Sequence, residues 1–326
     1  MRQLRTSERS SFKTCRQKWW WGYVEKLRDP NESRTALIFG DMVHISLARY
    51  YRKGTKRGPK PAGTFEKLAK KREVEGQVWN GDEEAWDDLV DLGVRMLEGY
   101  VEQWTDADQE YEVLSSEQTF QIKVKGLDGK KFMYVGTIDG VWRYLPTGSI
   151  RFAEHKTMAS IDFAGLPFDE QAGGYWTFGV PWLRKQGIIK PDQDLDGILY
   201  NCLRKSAPNP NDKFDEAGRR LNLDGSVSKR QPPPYFARQP VFRGEIDREN
   251  IHRRVLNELA DMDMCIADPV RHVYKTPGPL FMSNCKFCEF RDMCELHETG
   301  NDWEMFKEAT YGNWDPYSDH EIIERR

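Results

Sequence analysis

The spacing of apolar positions changes period along the chain, and those changes mark out its elements. Residues 39–51 (FGDMVHISLARYY) put Val43, Leu47 and Tyr50 or Tyr51 at helical spacing. Residues 82–104 carry a longer helical stripe of Trp86, Leu89, Val90, Val94, Leu97, Val101 and Trp104. Between them, 53–64 (KGTKRGPKPAGT) is broken by Gly and Pro and reads as a basic loop. The period then falls to two. Residues 111–125 and 131–144 read as strands joined at Asp128-Gly129, a hairpin signal, and 149–156 as a third strand after Pro146-Thr-Gly. A helix over 168–185 and a strand over 195–203 follow. Residues 205–240, dense in Pro, Asn, Asp, Gly and Ser, read as a long mobile insertion, and 246–267 as a helix with Asp247 as its N-cap. The first segment, 10–27, reads as a short helix or turn in which Trp19, Trp20, Trp21 and Tyr23 follow Cys15. This order of helices, antiparallel strands, helix, strand and helix argues for an α/β or α+β domain with a mixed sheet.

Composition narrows the class. A chain of 326 residues is one large domain or two ordinary ones, and 38% hydrophobic with 31% charged residues fits neither a membrane protein nor broad disorder. No apolar run reaches bilayer length, and the opening MRQLRTS has no signal-peptide segment, so a cytoplasmic location is expected. With 49 Lys+Arg against 52 Asp+Glu the formal charge is −3, which excludes a uniformly basic coat protein. Nucleic acid remains open as a substrate, because a cleft can be positive on a neutral molecule. Six cysteines without a secretion signal point to metal binding or burial rather than a disulfide framework.

Two strand segments carry the candidate chemistry, Val135-Gly136-Thr137-Ile138-Asp139-Gly140 and Phe152-Ala153-Glu154-His155-Lys156. Each sets an acid among apolar neighbours, where an unpaired carboxylate is costly to desolvate. Glu154 and Lys156 are two apart and share a face. Adjacent strands would present Asp139, Glu154 and Lys156 together, as hard ligands for Mg²⁺ or Mn²⁺ beside an ammonium. Spacing alone equally allows an exposed strand face with a Glu–Lys pair.

In order, Gly40-x-x-x-His44, Gly136-x-Ile138-Asp139, Glu154-x-Lys156 and Gln171-x-x-x-Tyr175 resemble the RecB-like branch of the PD-(D/E)XK nuclease superfamily. Within it they resemble the iron–sulfur exonucleases, namely the CRISPR-associated Cas-four type and the nuclease domain of AddB-type helicase subunits. Ile138 stands where the superfamily name expects Pro, as is usual in this branch. The resemblance implies a restriction-endonuclease-like α/β core, a mixed central sheet flanked by helices. It also implies a metal held by His44, Asp139, Glu154 and the main-chain carbonyl of His155. Catalysis by Asp139, Glu154 and Lys156 follows, with Lys156 positioning water. Gln171 and Tyr175, one helical turn apart, would touch the DNA backbone or orient Lys156. Glu117 is a weaker candidate, better read as an outward surface acid.

Cys285-x2-Cys288-x5-Cys294 has metal-ligand spacing and needs a fourth ligand. His297 would complete a zinc site; Cys15 would complete a [4Fe–4S] cluster. The resemblance favours the cluster, although Arg16 replaces the proline that often follows the first cysteine. Cys202 and Cys265 read as buried hydrophobes. The implied organisation is an iron–sulfur lobe from 1–30 and 271–300, a nuclease core over 31–270 and a polar tail over 301–326. Lys53, Lys56, Arg57 and Lys60 are candidate phosphate contacts, as are Arg219, Arg220, Lys229 and Arg230; a solvated charge run fits each group as well. Trp86 and Trp104 fit a core stripe, and Trp19 to Trp21 a packing around the cluster. The resulting expectation is a Mg²⁺- or Mn²⁺-dependent exonuclease on single-stranded DNA ends, with recombination or CRISPR adaptation proteins as further candidate partners. The alternative is a non-catalytic iron–sulfur or zinc DNA-binding module on a nuclease-like fold.

Overall fold

The computed structural model describes residues 1–30, 35–75, 83–207, 211–215, 219–278 and 284–317. The chain starts with β1 (Gln3–Leu4), α1 (Thr6–Thr14), α2 (Arg16–Trp19), a π-helical turn (Trp20–Val24) and β2 (Leu27–Arg28). Helices α3 (Thr35–Tyr50), α4 (Pro61–Val74) and α5 (Glu83–Trp104) precede strands β3 (Tyr111–Lys125), β4 (Lys131–Tyr144) and β5 (Ile150–Met158). Next come α6 (Glu170–Lys185), β6 (Gly197–Arg204), the short β7 (Lys213–Phe214) and β8 (Arg220–Leu221), and β9 (Phe236–Phe242). Helices α7 (Glu245–Ala267), α8 (Pro269–His272), α9 (Arg291–Thr299) and α10 (Trp303–Thr310) and strand β10 (Gly312–Asn313) complete it.

The elements form two compact units. A core unit takes Arg34–Phe120 and Thr137–Arg248; a terminal unit takes Met1–Ser33, Gln121–Gly136 and Glu249–Arg326. In the core unit β4 pairs antiparallel with β5, β5 runs parallel to β6, and β6 pairs antiparallel with β9. Strand β3 pairs with β4, so the sheet is mixed. β6 (GILYNCLR) is buried from Gly197 to Leu203, the continuous apolar run expected of a strand covered on both faces. On one side Phe39, Val43 and Leu47 of α3, Phe65 of α4 and Leu97 of α5 pack with Trp142, Ala153 and Leu199. On the other lies α6, where a Cβ on Gly179 would sit 3.2 Å from both Ile138 and Phe152. Gly197 enters β6 at φ +138°, with space for no side chain, since its Cβ would fall 2.1 Å from the Val241 carbonyl oxygen.

In the terminal unit β1 pairs in parallel with β4, and β2 pairs with β10. Arg9, fully buried on α1, bonds Glu258 of α7 through Nε at 2.5 Å. Trp21 packs with Phe290 and Met293, flanked by Trp303 and Tyr311.

Four local readings change. Residues 61–74, unassigned or read as loop, form α4, with Pro61 in its first turn. The insertion is not loop to its end, because β9 joins the sheet from Phe236. Residues 303–313, within the expected polar tail, form α10 and β10. Helix α7 begins at Glu245, so Asp247 lies in its first turn, accepting from Gly244 N at 2.9 Å. The expected hairpin is present at Asp128-Gly129, with Gly129 at φ +82°. No helix among the described residues is long and apolar enough to cross a membrane.

Candidate active site

Strand register assembles the site. Gly140 pairs with Ala153, so Asp139 and Glu154 lie side by side at the β4–β5 border. Asp139 is fixed at both oxygens. Its Oδ2 accepts from His155 N at 2.8 Å, and its Oδ1 lies 3.0 Å from His44 Nδ1. His44 reaches it from α3, which passes close to β5 at Gly40, where a Cβ would lie 3.9 Å from Thr157 Oγ1. A side chain there would make only an ordinary contact, so the approach of the helix does not itself demand the glycine.

On the same face, Lys156 Nζ lies 2.8 Å from Glu154 Oε1 and 3.2 Å from Asp169 Oδ2, and donates to Gln171 Oε1 at 3.0 Å. Gln171 Nε2 donates to Tyr175 Oη at 3.3 Å, so the two residues one turn apart act as a bracket behind the lysine. Asp169 was not anticipated. It is the N-cap of α6, accepting from Gln171 N and Ala172 N, and an Asp immediately before the helix was the signal available. The His155 ring points elsewhere, bonded to Asn201 at 2.7 Å and stacked on Tyr51.

Charge is unevenly distributed. Burial opposes protonation of His44, but Asp139 outweighs it and raises the imidazole to about 9. Asp139 is displaced downward: burial raises it, and His44 more than compensates. Glu154 goes upward, from burial and from Asp139, with Lys156 acting against both. Burial disfavours the Lys156 ammonium, yet Glu154 and Asp169 hold it well above the ordinary lysine range. In the metal-free protein Lys156 is therefore held in its charged form. Burial lowers His155 to about 3, so its ring is neutral. Glu117 is not an outward acid. It is half-buried, and burial followed by the charge of Asp139 raises its carboxyl.

The family model of the PD-(D/E)XK nuclease superfamily matches residues 6–295. The chain belongs to this superfamily. No protein of curated function matches it. Membership makes a metal-dependent nuclease the activity to expect, with Mg²⁺ or Mn²⁺ as the metal and DNA as the substrate.

The donors of this PD-(D/E)XK site suit such an ion. Among the described residues no three His, Cys, Asp or Glu side chains are already placed to hold a metal ion together. The buried Glu154 nonetheless adjoins the half-buried Asp139 and is driven toward its neutral form, an unfavourable arrangement that a divalent cation would relieve. Oxygen donors with one imidazole match Mg²⁺ and Mn²⁺.

The other expected residues are placed as follows. Cys15, Cys285, Cys288 and Cys294 line one cavity of about 670 Å³ in the terminal unit. Burial raises the thiols of Cys288 and Cys294, and Cys15 acts on both. His297 packs its ring against Trp21 and Trp303, with centroids 6.1 and 5.1 Å apart. Cys202 and Cys265 are fully buried. Lys53, Lys56 and Lys60 are exposed. Arg57 is occupied, bonding the carbonyls of Asp108 and Tyr111. Arg219 and Arg220 form ion pairs with Asp215 and Asp212, whereas Lys229 and Arg230 face solvent. Trp86 is buried and bonds Glu73, and Trp104 lies under the Arg238 guanidinium.

Proposed function

We propose that the chain is a Mg²⁺- or Mn²⁺-dependent DNA exonuclease that hydrolyses phosphodiester bonds from single-stranded ends. The observation that carries this reading is the half-buried Asp139 and the buried Glu154 side by side, next to a lysine locked in its charged form by Glu154 and Asp169. The divalent ion supplies Lewis-acid activation of water and charge neutralisation. Asp139 and Glu154 would hold it, with the His155 carbonyl and a neutral His44 imidazole as further donors. Lys156 offers a fixed positive charge to the non-bridging phosphate oxygens as they gain charge. Gln171 and Tyr175 keep that ammonium aimed. The preference for single-stranded ends and the exonuclease mode rest on the resemblance to the iron–sulfur group.

In the terminal unit we read the four cavity cysteines as ligands of a [4Fe–4S] cluster. Cys15 lines the same cavity as Cys285, Cys288 and Cys294, and His297 is not in that lining, which supports four thiolates over a Cys₃His zinc site.

The test is cleavage of linear and circular single-stranded DNA, end-labelled where linear, with Mn²⁺. Linear strands should be shortened from an end and circles spared. Asp139→Ala and Lys156→Ala should each lose about 10²-fold or more of the rate with an unchanged circular dichroism spectrum. Undiminished cleavage by either variant sinks the site, and circles cut as fast as linear strands sink the exonuclease reading.

A further inference from the structure

We propose that Glu117 is an additional carboxylate ligand of the divalent cation, working beside Asp139. The inference rests on the reading of the site as a Mg²⁺ or Mn²⁺ centre, and places a third strand in it. At the hairpin turn Gly126 N donates to Lys130 O at 2.7 Å, and further along the hydroxyls of Thr119 and Thr137 meet at 3.1 Å. Both contacts belong to one antiparallel register. Beyond them the register slips by one, since Leu145 N donates to Glu110 O at 2.8 Å, so β3 carries one extra residue between Thr119 and Glu110. That extra residue is a β-bulge, and Glu117, two residues from Thr119 as Asp139 is from Thr137, sits in it. The bulge sets Glu117 near Asp139, which lies beside Glu154.

The backbone at this point is specialised. Glu117 has φ +32°, a region that favours glycine. The kink is held from both sides: Ser116 Oγ donates to Ala48 O at 2.9 Å, and Gln118 Nε2 donates to the carbonyls of Ser116 and Glu117 at 3.0 and 3.1 Å. Such local departures re-aim a side chain out of the regular pleat. The charged groups acting on Glu117 are those of the site and its rim, Asp139 and Asp41 on one side, His44 and Arg49 on the other. A half-buried carboxylate beside another carboxylate, on a backbone disfavoured for its residue type, is unfavourable in three separate ways. The hydrogen bonds of Ser116 and Gln118 account for the backbone, but not for burying one carboxylate beside another. A shared cation answers that, and Mg²⁺ or Mn²⁺ has coordination positions beyond those taken by Asp139, Glu154 and His44.

The experiment is Mn²⁺ titration of the full chain, followed by the paramagnetic resonance of free Mn²⁺, on wild type, Asp139→Asn, Glu117→Gln and Glu117→Gly. Glycine removes the carboxylate and accepts the positive φ, so Glu117→Gly should melt at or above the wild-type Tm. Both Glu117 variants should bind Mn²⁺ about tenfold more weakly, or worse, at the site that Asp139→Asn abolishes. Wild-type Mn²⁺ affinity in both, with Asp139→Asn defective, overturns the role of Glu117 alone. Mn²⁺ binding that Asp139→Asn leaves intact overturns the metal reading of the site, and this inference with it.

Discussion

In the metal-free protein the ammonium of Lys156 is pinned from three directions, by Glu154, Asp169 and Gln171, and held in its charged form. There the imidazole of His44 is the group that holds a proton against Asp139. Its pKa rises from 6.5 to about 9 through Asp139, so the folded protein binds that proton more tightly than the unfolded chain does. The pair's contribution to stability is complete below about pH 6.5 and is lost as pH climbs through about 9. In chelator-treated protein, the Tm gap between wild type and His44→Gln should therefore shrink across that window. A gap that stays constant from pH 6 to 10 would mean that Asp139 does not hold a charged imidazole. Individual residues were unevenly legible. Asp139, Glu154 and Lys156 showed themselves because acids among apolar strand residues are rare. Glu117 did not, because its burial and its kinked backbone arise from partners, Ala48 and Asp139, that are distant in sequence.

At the scale of the element, α6 joins helix capping to the site. Asp169 accepts from two amides at the start of the helix and from Lys156 with its other oxygen. The two duties separate by substitution. Asparagine caps as well as aspartate, so Asp169→Asn should stay within about 0.5 kcal/mol of wild type, while Asp169→Ala should lose about 1 kcal/mol. Both should cut slowly, because each frees the lysine. Equal activity of Asp169→Asn and wild type would remove Asp169 from the positioning of Lys156. Elements announced themselves where one physical rule governed them. The change from helical to strand period, and Asp-Gly at the hairpin, needed only local chemistry. β9 was obscured because it carries Pro240, which a strand tolerates at a sheet edge, and β9 ends the strand order, beside β6. α4 was obscured because its start, Pro61, closes a Gly/Pro-rich basic stretch that resembles any surface loop.

At the scale of the whole molecule, the cysteines bring distant parts of one chain to a common cavity. Cys15 lies on the N-terminal segment, and Cys285, Cys288 and Cys294 lie beyond α8. Replacing any one of the four by serine should strip iron and its broad visible absorbance from anaerobically purified protein, whereas Cys202→Ser should keep both. A colourless wild type with one equivalent of zinc would overturn the cluster. The iron-free variants should melt earlier and still fold. Their segments are also joined by Arg9–Glu258, by Arg2–Asp263 and by the β2–β10 pair, none of which needs a metal. This level was the least legible in the sequence. Periodicity reports what a segment buries, not which distant segment buries it.

The terminal unit is built from the first 33 residues and from residues beyond 248, with a hairpin tip between them. During synthesis its N-terminal part leaves the ribosome with Trp19 and Trp20 beside partners of their own segment, Glu8, Phe12 and Glu25, but with Trp21 lacking Phe290, Met293 and Trp303. At roughly 5–20 residues per second, the gap between Cys15 and Cys285 amounts to some 15–50 s. The intervening core unit has its helices and most of its sheet on hand and can form in that time. Trp21 and Cys15 cannot complete their surroundings until the last part of the chain is made, so the terminal unit closes last.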